Sequence, residues 1–306
     1  MRDKFLEILT EKANKNKNII LLVADIGFGV VNEFKKKNPK QFFNVGISEQ
    51  NMAGIAVGLA LSGKKVFCYS IANFTTLRSI EQIRNGACYH NLDIKFVSGG
   101  SGYSYGSLGY SHHAIEDLGI MRCLPNLEIF CPSSDHEIDY IANYLVSDHK
   151  TPAYLRIDKS KILETNLKKI NNIITPRLIV KSNKKDSEII IFSAGGIIEE
   201  VKKAVKKASQ INCSVYSIFN ISKLNTKFVK KFENKKILVV EETIKENGIS
   251  SFLRENFQRS NITSVALDKN TIYYYAGSQT FIRNKQKISE KYILKKLNDI
   301  KNNNHA

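Results

Sequence analysis

The chain has 306 residues, of which 42% are hydrophobic, and it carries a formal net charge of +17. This length predicts two domains of ordinary size. The apolar runs fall short of the roughly 20 residues that a helix needs to cross a bilayer, so we expect no membrane contact. The first five residues lack the apolar core of a signal peptide, and the cytoplasm is therefore the predicted location.

The five cysteines are scattered and form no C-x-x-C pair, which argues against a disulfide framework and against a zinc site. The positive charge is spread over lysines that alternate with asparagine and isoleucine, and no basic–aromatic stripe accompanies it. We therefore interpret most of the charge as solvated surface and expect no nucleic-acid partner. A small part of it is expected to attract anionic substrates.

Apolar runs alternate with helical patterns along the first half of the chain. An amphipathic helix is predicted over 1–17, and the run 19–24 then predicts a buried strand. Further strands are predicted at 66–70, 94–98, 127–131 and 152–156, with helices over 75–89, 114–122 and 136–146 between them. This alternation predicts an α/β fold whose mostly parallel sheet is covered by helices on both faces.

A polar, lysine-rich stretch at 158–187 contains Pro176 and is the predicted linker. A second α/β unit is predicted to follow it, with strands at 188–193, 214–218 and 236–240 and a helix over 197–210. The chain is thus predicted to have two domains, 1–157 and 188–306, each with a mostly parallel sheet covered by helices.

One segment places an acid at the start of an apolar helix. Residues 42–52 read FFNVGISEQNM, and the helix that follows Glu49 carries no further charge until Lys64. A buried carboxylate costs free energy unless it is hydrogen-bonded or its pKa shifts. The acid is either an ordinary helix N-terminal residue, favoured by the helix dipole, or a functional group.

This segment resembles the F-x-x-x-G-I-[SA]-E-Q stretch in the pyrimidine-binding domain of transketolases. The same stretch occurs in 1-deoxyxylulose-5-phosphate synthases and in the beta subunits of 2-oxo-acid dehydrogenases. The resemblance runs from about residue 18 to about residue 257 and implies the fold of the last two transketolase domains. It implies that Glu49 is catalytic and hydrogen-bonds N1′ of the aminopyrimidine of thiamine diphosphate, with Ile47 of the same motif also contacting the cofactor.

Two further residues are matched to the cofactor site by this resemblance. Asp25 follows the first predicted strand, at the edge where α/β sheets bind ligands, and matches an A-D-[LI] segment near the family's subunit interface. Its alternative role is to cap a turn. Phe74 matches an aromatic residue that stacks on the aminopyrimidine, and its alternative role is that of a core residue.

Residues 99–113 read GGSGYSYGSLGYSHH and resemble the family's G-x-D-G-[PA]-T-H-Q segment. His112 matches the family histidine beside the thiazolium, which can hydrogen-bond to the bound substrate or relay protons to it. His113 is a predicted substrate contact. Leu108 replaces the family aspartate that contacts a substrate hydroxyl, and Tyr110 replaces the usual proline or alanine. We therefore expect an altered donor or acceptor, such as a deoxy or modified sugar.

Arg156 ends the last predicted strand of the first domain and matches a position where relatives hold a substrate phosphate. A guanidinium suits that role because it binds two phosphate oxygens at once. The alternative is a surface salt bridge. No G-D-G motif with a following asparagine, which holds Mg²⁺ and the diphosphate in this family, occurs in the chain. We therefore predict no metal site here.

The resemblance implies that the chain is the beta-type subunit of a split transketolase. A separate subunit would carry the diphosphate-binding domain and ligate Mg²⁺, in an α2β2 assembly that transfers a two-carbon ketol unit from a sugar or sugar phosphate to an aldose. One alternative is the beta subunit of a 2-oxo-acid dehydrogenase, although the run 112–117 looks more like transketolases. The other is a non-catalytic regulatory subunit, which Leu108 allows and the intact Glu49 motif disfavours.

Overall fold

The computed structural model describes residues 1–147, 149–159, 170, 172–182, 187–271 and 275–302. These residues form two mostly parallel β-sheets that are covered by helices. The predicted α/β class is therefore confirmed.

The first sheet has six strands that all run parallel to their neighbours. Its strands are β1 (Ile19–Val23), β2 (Phe42–Asn44), β3 (Lys65–Ile71), β4 (Ile94–Gly99), β5 (Glu128–Phe130) and β6 (Ala153–Ile157), in the spatial order β2-β1-β3-β4-β6-β5. Its helices are α1 (Arg2–Lys15), α2 (Asn32–Lys37), α3 (Glu49–Leu61), α4 (Ala72–Gln82), α5 (Asp117–Arg122) and α6 (Asp135–Val146). Every residue of β1, β3, β4 and β6 is buried, as expected for strands with helices on both faces.

The second sheet has five strands, and all of its pairings except one are parallel. Its strands are β7 (Arg177–Val180), β8 (Ile189–Ser193), β9 (Cys213–Ser217), β10 (Lys236–Ile244) and β11 (Asn261–Leu267), in the order β11-β10-β8-β9-β7. Its helices are α7 (Ile198–Lys207), α8 (Thr226–Phe232), α9 (Ile249–Asn256), α10 (Gln279–Lys285) and α11 (Glu290–Asn302).

The predicted linker at 158–187 contains the strand β7, so part of it belongs to the second sheet. Arg177 pairs with Ser217 of β9 in antiparallel register, and its guanidinium makes a buried ion pair of 2.9 Å with Glu137 of α6. The lysine-rich stretch around it hid this short strand, which lies at the edge of the sheet and is largely only half-buried. The linker residues 160–169, 171 and 183–186 lie outside the described ranges.

The predicted helices are present, and two of them differ most from their predicted limits. The helix expected over 75–89 is α4, which is followed by a π-helical stretch, Ile83–Cys88. The helix expected from 114 begins only at Asp117. Ala114 instead exchanges two backbone hydrogen bonds with Gly102, of 2.9 and 3.0 Å, so the backbone there is extended. In the described part of the chain, no helix is long and apolar enough to cross a membrane.

The helix α3 is placed by close packing against the π-helical stretch. Its residues Met52, Ala53 and Ala56 are buried in the core, while Gly58 faces open space. Gly86 of the π-helical stretch lies directly against Val57 of α3, where a Cβ atom would collide with the valine side chain. This contact fixes the helix whose first residue is Glu49.

We expect Gly86→Ala to lower the free energy of unfolding by about 1–3 kcal/mol, because the added methyl group overpacks this contact. Adding Val57→Ala should recover much of the loss by removing the colliding methyl groups. Gly58→Ala is the control and should stabilise the helix by about 0.5–1 kcal/mol. Urea unfolding measures all four chains, and wild-type stability in Gly86→Ala alone would contradict the packing argument.

Candidate active site

Glu49 is a buried acid with two side-chain partners. It is the first residue of α3, and only 2% of it is exposed. Ser70, in β3, donates a hydrogen bond of 3.3 Å to Oε1, and Nη1 of Arg78 donates one of 2.9 Å to Oε2. The helix dipole adds partial positive charge at this end of α3. The carboxylate is therefore held in a defined position by a hydroxyl, a guanidinium and a helix terminus.

Phe74 connects this acid to the glycine-rich loop. The half-buried ring lies on α4, and the guanidinium carbon of Arg78 is 4.1 Å from its centroid. On the other side, the ring of His112 meets Phe74 edge-on, with 5.1 Å between centroids. Three residues that the sequence predicts for the site, Glu49, Phe74 and His112, are thus joined by a continuous set of contacts through Arg78.

His112 is held by short-range contacts that leave its ring partly exposed. It ends a 3₁₀ turn, Tyr110–His112, and Ser111 Oγ lies 3.0 Å from its Nδ1. Asn73, next to Phe74, donates a hydrogen bond of 2.6 Å to the carbonyl of Ser111 and fastens the loop to α4. With Nδ1 facing a hydroxyl, the Nε2 atom is the one available for proton exchange with a ligand.

The glycines of this loop allow it to approach the second domain. Gly106 accepts a hydrogen bond of 3.1 Å from the backbone of Gly277, and a Cβ atom at Gly106 would lie 2.6 Å from Ile282 of α10. Gly102 has a φ of +56° and lies against the carboxylate of Glu242, in β10. Glycines in such a loop can let the backbone approach a ligand closely, whereas these two serve domain packing.

Asp25 and Ile47 lie on the exposed side of the same sheet edge. Asp25 has a φ of +49°, and its carboxylate accepts a hydrogen bond of 2.9 Å from the amide of Asn44. The Asn44 side chain also accepts from the backbone of Asp25 and of Gly46, so it ties Asp25 to the turn before Glu49. Ile47 is 74% exposed. Their contact with a cofactor stays a prediction.

The structure does not bring Arg156 to the Glu49 site. Its side chain is 3% exposed, and Nε donates a hydrogen bond of 2.7 Å to Asp117 while Nη2 donates one of 2.8 Å to the carbonyl of Ala114. Burial opposes the charge of Arg156, but the carboxylate of Asp117 holds the pKa of Arg156 above its usual value. The predicted phosphate contact is replaced by a buried ion pair. The alternative was a surface salt bridge. A salt bridge does form, but it is buried.

His113 is also placed in the interior rather than facing a substrate. It is 1% exposed, its Nε2 lies 3.4 Å from the carbonyl of Gly106, and its ring packs edge-on against Tyr103. Burial lowers the pKa of His113. In contrast, Leu108 and Tyr110 of the same loop are 55% and 44% exposed, so these two family departures lie at the surface.

Arg78 is the main site residue that sequence reasoning missed. It follows Phe74 by four residues on α4, a spacing that places two side chains on one helix face and could have revealed it. No group of three or more histidine, cysteine, aspartate or glutamate side chains that could hold a metal ion occurs among the described residues.

Comparison with known proteins agrees with the fold and the motif. Residues 1–163 match the family model described as transketolase, pyrimidine binding domain. The chain belongs to the transketolase family.

Two transketolase relatives are similar over most of their length. One subunit of an apulose-4-phosphate transketolase from Actinobacillus succinogenes is 32% identical over 247 residues, covering 78% of this chain and 77% of that protein. The protein of the same description from Phocaeicola vulgatus is 27% identical, covering 85% and 84%. A solved structure described as a split gene transketolase, inactive beta4 tetramer, superimposes with a TM-score of 0.83 at 24% identity, covering 98% of this chain and 97% of that chain. This structural likeness shows the transketolase fold.

We expect Asp117→Asn to lower the free energy of unfolding by about 3–5 kcal/mol, because it leaves the buried Arg156 charge unpaired. The control is Glu255→Gln, because Glu255 pairs with Arg122 and its side chain is 60% exposed. This substitution should lower the free energy of unfolding by less than about 1 kcal/mol. Chemical unfolding of both variants checks this. Equal, small losses would contradict the buried pair.

His113 also makes stability depend on pH. Its folded-state pKa lies below the unfolded value of about 6.5, so its contribution is fully present above that pH. The contribution is lost as the pH falls through about 6.5 towards the folded pKa, at up to about 1.4 kcal/mol per pH unit. His113→Gln should flatten the fall in unfolding free energy between pH 7 and 5, and His90→Gln, at an exposed site, serves as the control substitution. Parallel slopes for His113→Gln and the wild type would contradict this assignment.

Proposed function

We propose that this chain is the beta-type subunit of a split, thiamine diphosphate-dependent transketolase that transfers a two-carbon ketol unit from a ketose to an aldose. The observation that carries this proposal is the continuous set of contacts from Glu49 through Arg78 and Phe74 to His112. It joins a buried acid, an apolar ring and an imidazole in a family whose chemistry needs these three groups.

The donor set fits the aminopyrimidine of the cofactor. Glu49 offers a carboxylate oxygen that a ring nitrogen can meet, and half-buried Phe74 offers an aromatic face, covered by Arg78 in the free chain, on which a planar ring can stack. Ile47, 74% exposed in the turn just before α3, adds apolar surface. Asp25 follows β1, the strand that pairs with β2, and would contact the cofactor from that side. When bound, thiamine diphosphate supplies the nucleophilic carbon that accepts the two-carbon unit.

The chain's own residues position groups and exchange protons. Glu49 would hold a proton at N1′ of the aminopyrimidine, and Ser70 keeps its carboxylate oriented. His112, with Ser111 at its Nδ1, would exchange a proton with a substrate oxygen through Nε2. The packing of the loop on α10 fixes the position of this histidine relative to Phe74. Arg156 and His113 act on stability, because both are buried in the interior.

A separate subunit would supply the diphosphate-binding domain and the Mg²⁺ ligands, in an α2β2 assembly. Two relatives are each described as one lettered subunit of a transketolase, which supports a partner chain for this protein as well. Large apolar side chains near the site also support it, since such surface is normally covered by a partner: Phe43, Ile47 and Leu77 are each exposed by 47% or more.

The substrates we propose are phosphorylated sugars, with a deoxy or otherwise modified sugar as donor or acceptor. A small part of the net charge of +17 would attract anionic substrates. Leu108 and Tyr110 present an apolar and a phenolic group at the surface of the loop that carries His112. Leu108 lacks the carboxylate with which the family aspartate at this position would accept a hydrogen bond from a sugar hydroxyl.

In the assembled enzyme, we expect Glu49→Gln to lower the rate of ketol transfer by about a hundredfold or more, because the amide cannot hold or exchange the proton. The rate is measured with a panel of ketose phosphates and aldose acceptors. Glu81→Gln, an exposed acid on α4, is the control and should keep the wild-type rate. Turnover near the wild-type rate in Glu49→Gln would contradict the assignment of Glu49.

A further inference from the structure

Arg78 makes both of the contacts that the proposed cofactor ring would need. Its guanidinium is planar and cationic, it donates a hydrogen bond of 2.9 Å to Glu49, and it covers the ring of Phe74 at 4.1 Å. An aminopyrimidine bound at this site would also be planar, would also hydrogen-bond to Glu49 and would also stack on Phe74. The guanidinium of Arg78 and an aminopyrimidine cannot lie on the same face of the Phe74 ring at once.

The side chain of Arg78 can rotate out of the site into solvent, whereas that of Glu49 cannot. The Arg78 side chain is 47% exposed, while that of Glu49 is 2% exposed. Among the described residues, the hydrogen bond and ion pair of Arg78 are made with Glu49, and its stacking contact is with Phe74. Rotation of the arginine into water therefore breaks two contacts and keeps the carboxylate in place through Ser70.

We propose that Arg78 is a placeholder for the aminopyrimidine. In the free chain it neutralises the buried carboxylate and covers the aromatic face, and it swings away when a planar aminopyrimidine takes the same two contacts. The identity of this ligand rests on the proposed function. The arrangement avoids an unpaired buried charge while the site lacks a ligand. It also lowers the apparent affinity for the ligand, because only the fraction of molecules with the arginine displaced can bind.

Two other roles for Arg78 predict a different effect of its removal on the affinity for the ligand. If the arginine stayed in place and bound the ligand directly, its removal would weaken binding. If it served only to stabilise the fold, its removal would change stability and leave the affinity of the folded chain unchanged. The sign of the change in affinity therefore separates the placeholder from both alternatives.

The test uses the full chain without a partner and 4-amino-5-hydroxymethyl-2-methylpyrimidine as the probe, titrated by calorimetry or NMR. Arg78→Met should bind the probe about tenfold more tightly than the wild type, because the competing contact is lost. Arg78→Lys keeps a cation for Glu49 but lacks the planar group, and its affinity should lie between the two. Arg84→Met removes an exposed arginine of the π-helical stretch and should match the wild type.

Adding Glu49→Gln to Arg78→Met should abolish the gain in affinity for the probe. This result would show that the probe binds the carboxylate of Glu49 that Arg78 no longer occupies. Unchanged, weaker or undetectable binding of the probe to Arg78→Met and Arg78→Lys would overturn the placeholder. A parallel titration of thiamine diphosphate into the wild-type chain with its partner subunit separates the two proposals. Binding there without a gain for the probe would overturn only the placeholder. A gain for the probe without binding there would support the placeholder and contradict the proposed function.

Discussion

A carboxylate that is almost closed to water needs a partner in every state of the protein, and the site follows from this constraint. Glu49 begins α3, and the free energy of burying its charge is offset by Ser70, Arg78 and the helix dipole. Each partner comes from a different element, so the acid links β3, α3 and α4. The position of α3 depends in turn on the close contact of Val57 with Gly86.

The second domain takes part in the site through the loop that carries His112. Gly106 and Gly102 let the loop lie directly on α10 and β10, and Asn73 fastens its other end to α4. The ion pair of Arg156 with Asp117 lies beneath this loop, where Arg156 also reaches the carbonyl of Ala114. The imidazole is therefore positioned by two domains, and a change at their contact would alter its distance from Phe74.

The alternation of strands and helices could be read from the sequence because buried parallel strands are continuous apolar runs, as at Ile19–Val23. The buried acid and the grouping of Glu49, Phe74 and His112 followed from motifs of one family. Burial of Arg156 and His113 could not be read, because a polar residue at a strand end or in a loop looks the same whether it faces a ligand or another domain. The strand β7 was hidden because it is short and lies within a lysine-rich stretch, and Arg78 required attention to its four-residue spacing from Phe74 on α4.

The most direct test of the proposed split enzyme is titration of thiamine diphosphate, with Mg²⁺, into this chain alone and into its mixture with a subunit that carries the diphosphate-binding domain. We expect tight binding in the mixture and none of comparable strength with the chain alone, since the proposed function assigns only the pyrimidine half of the site to this chain. Tight binding by the chain alone would contradict the division of the site between two subunits. Absence of binding in a mixture that forms a stable complex would contradict the proposed function itself.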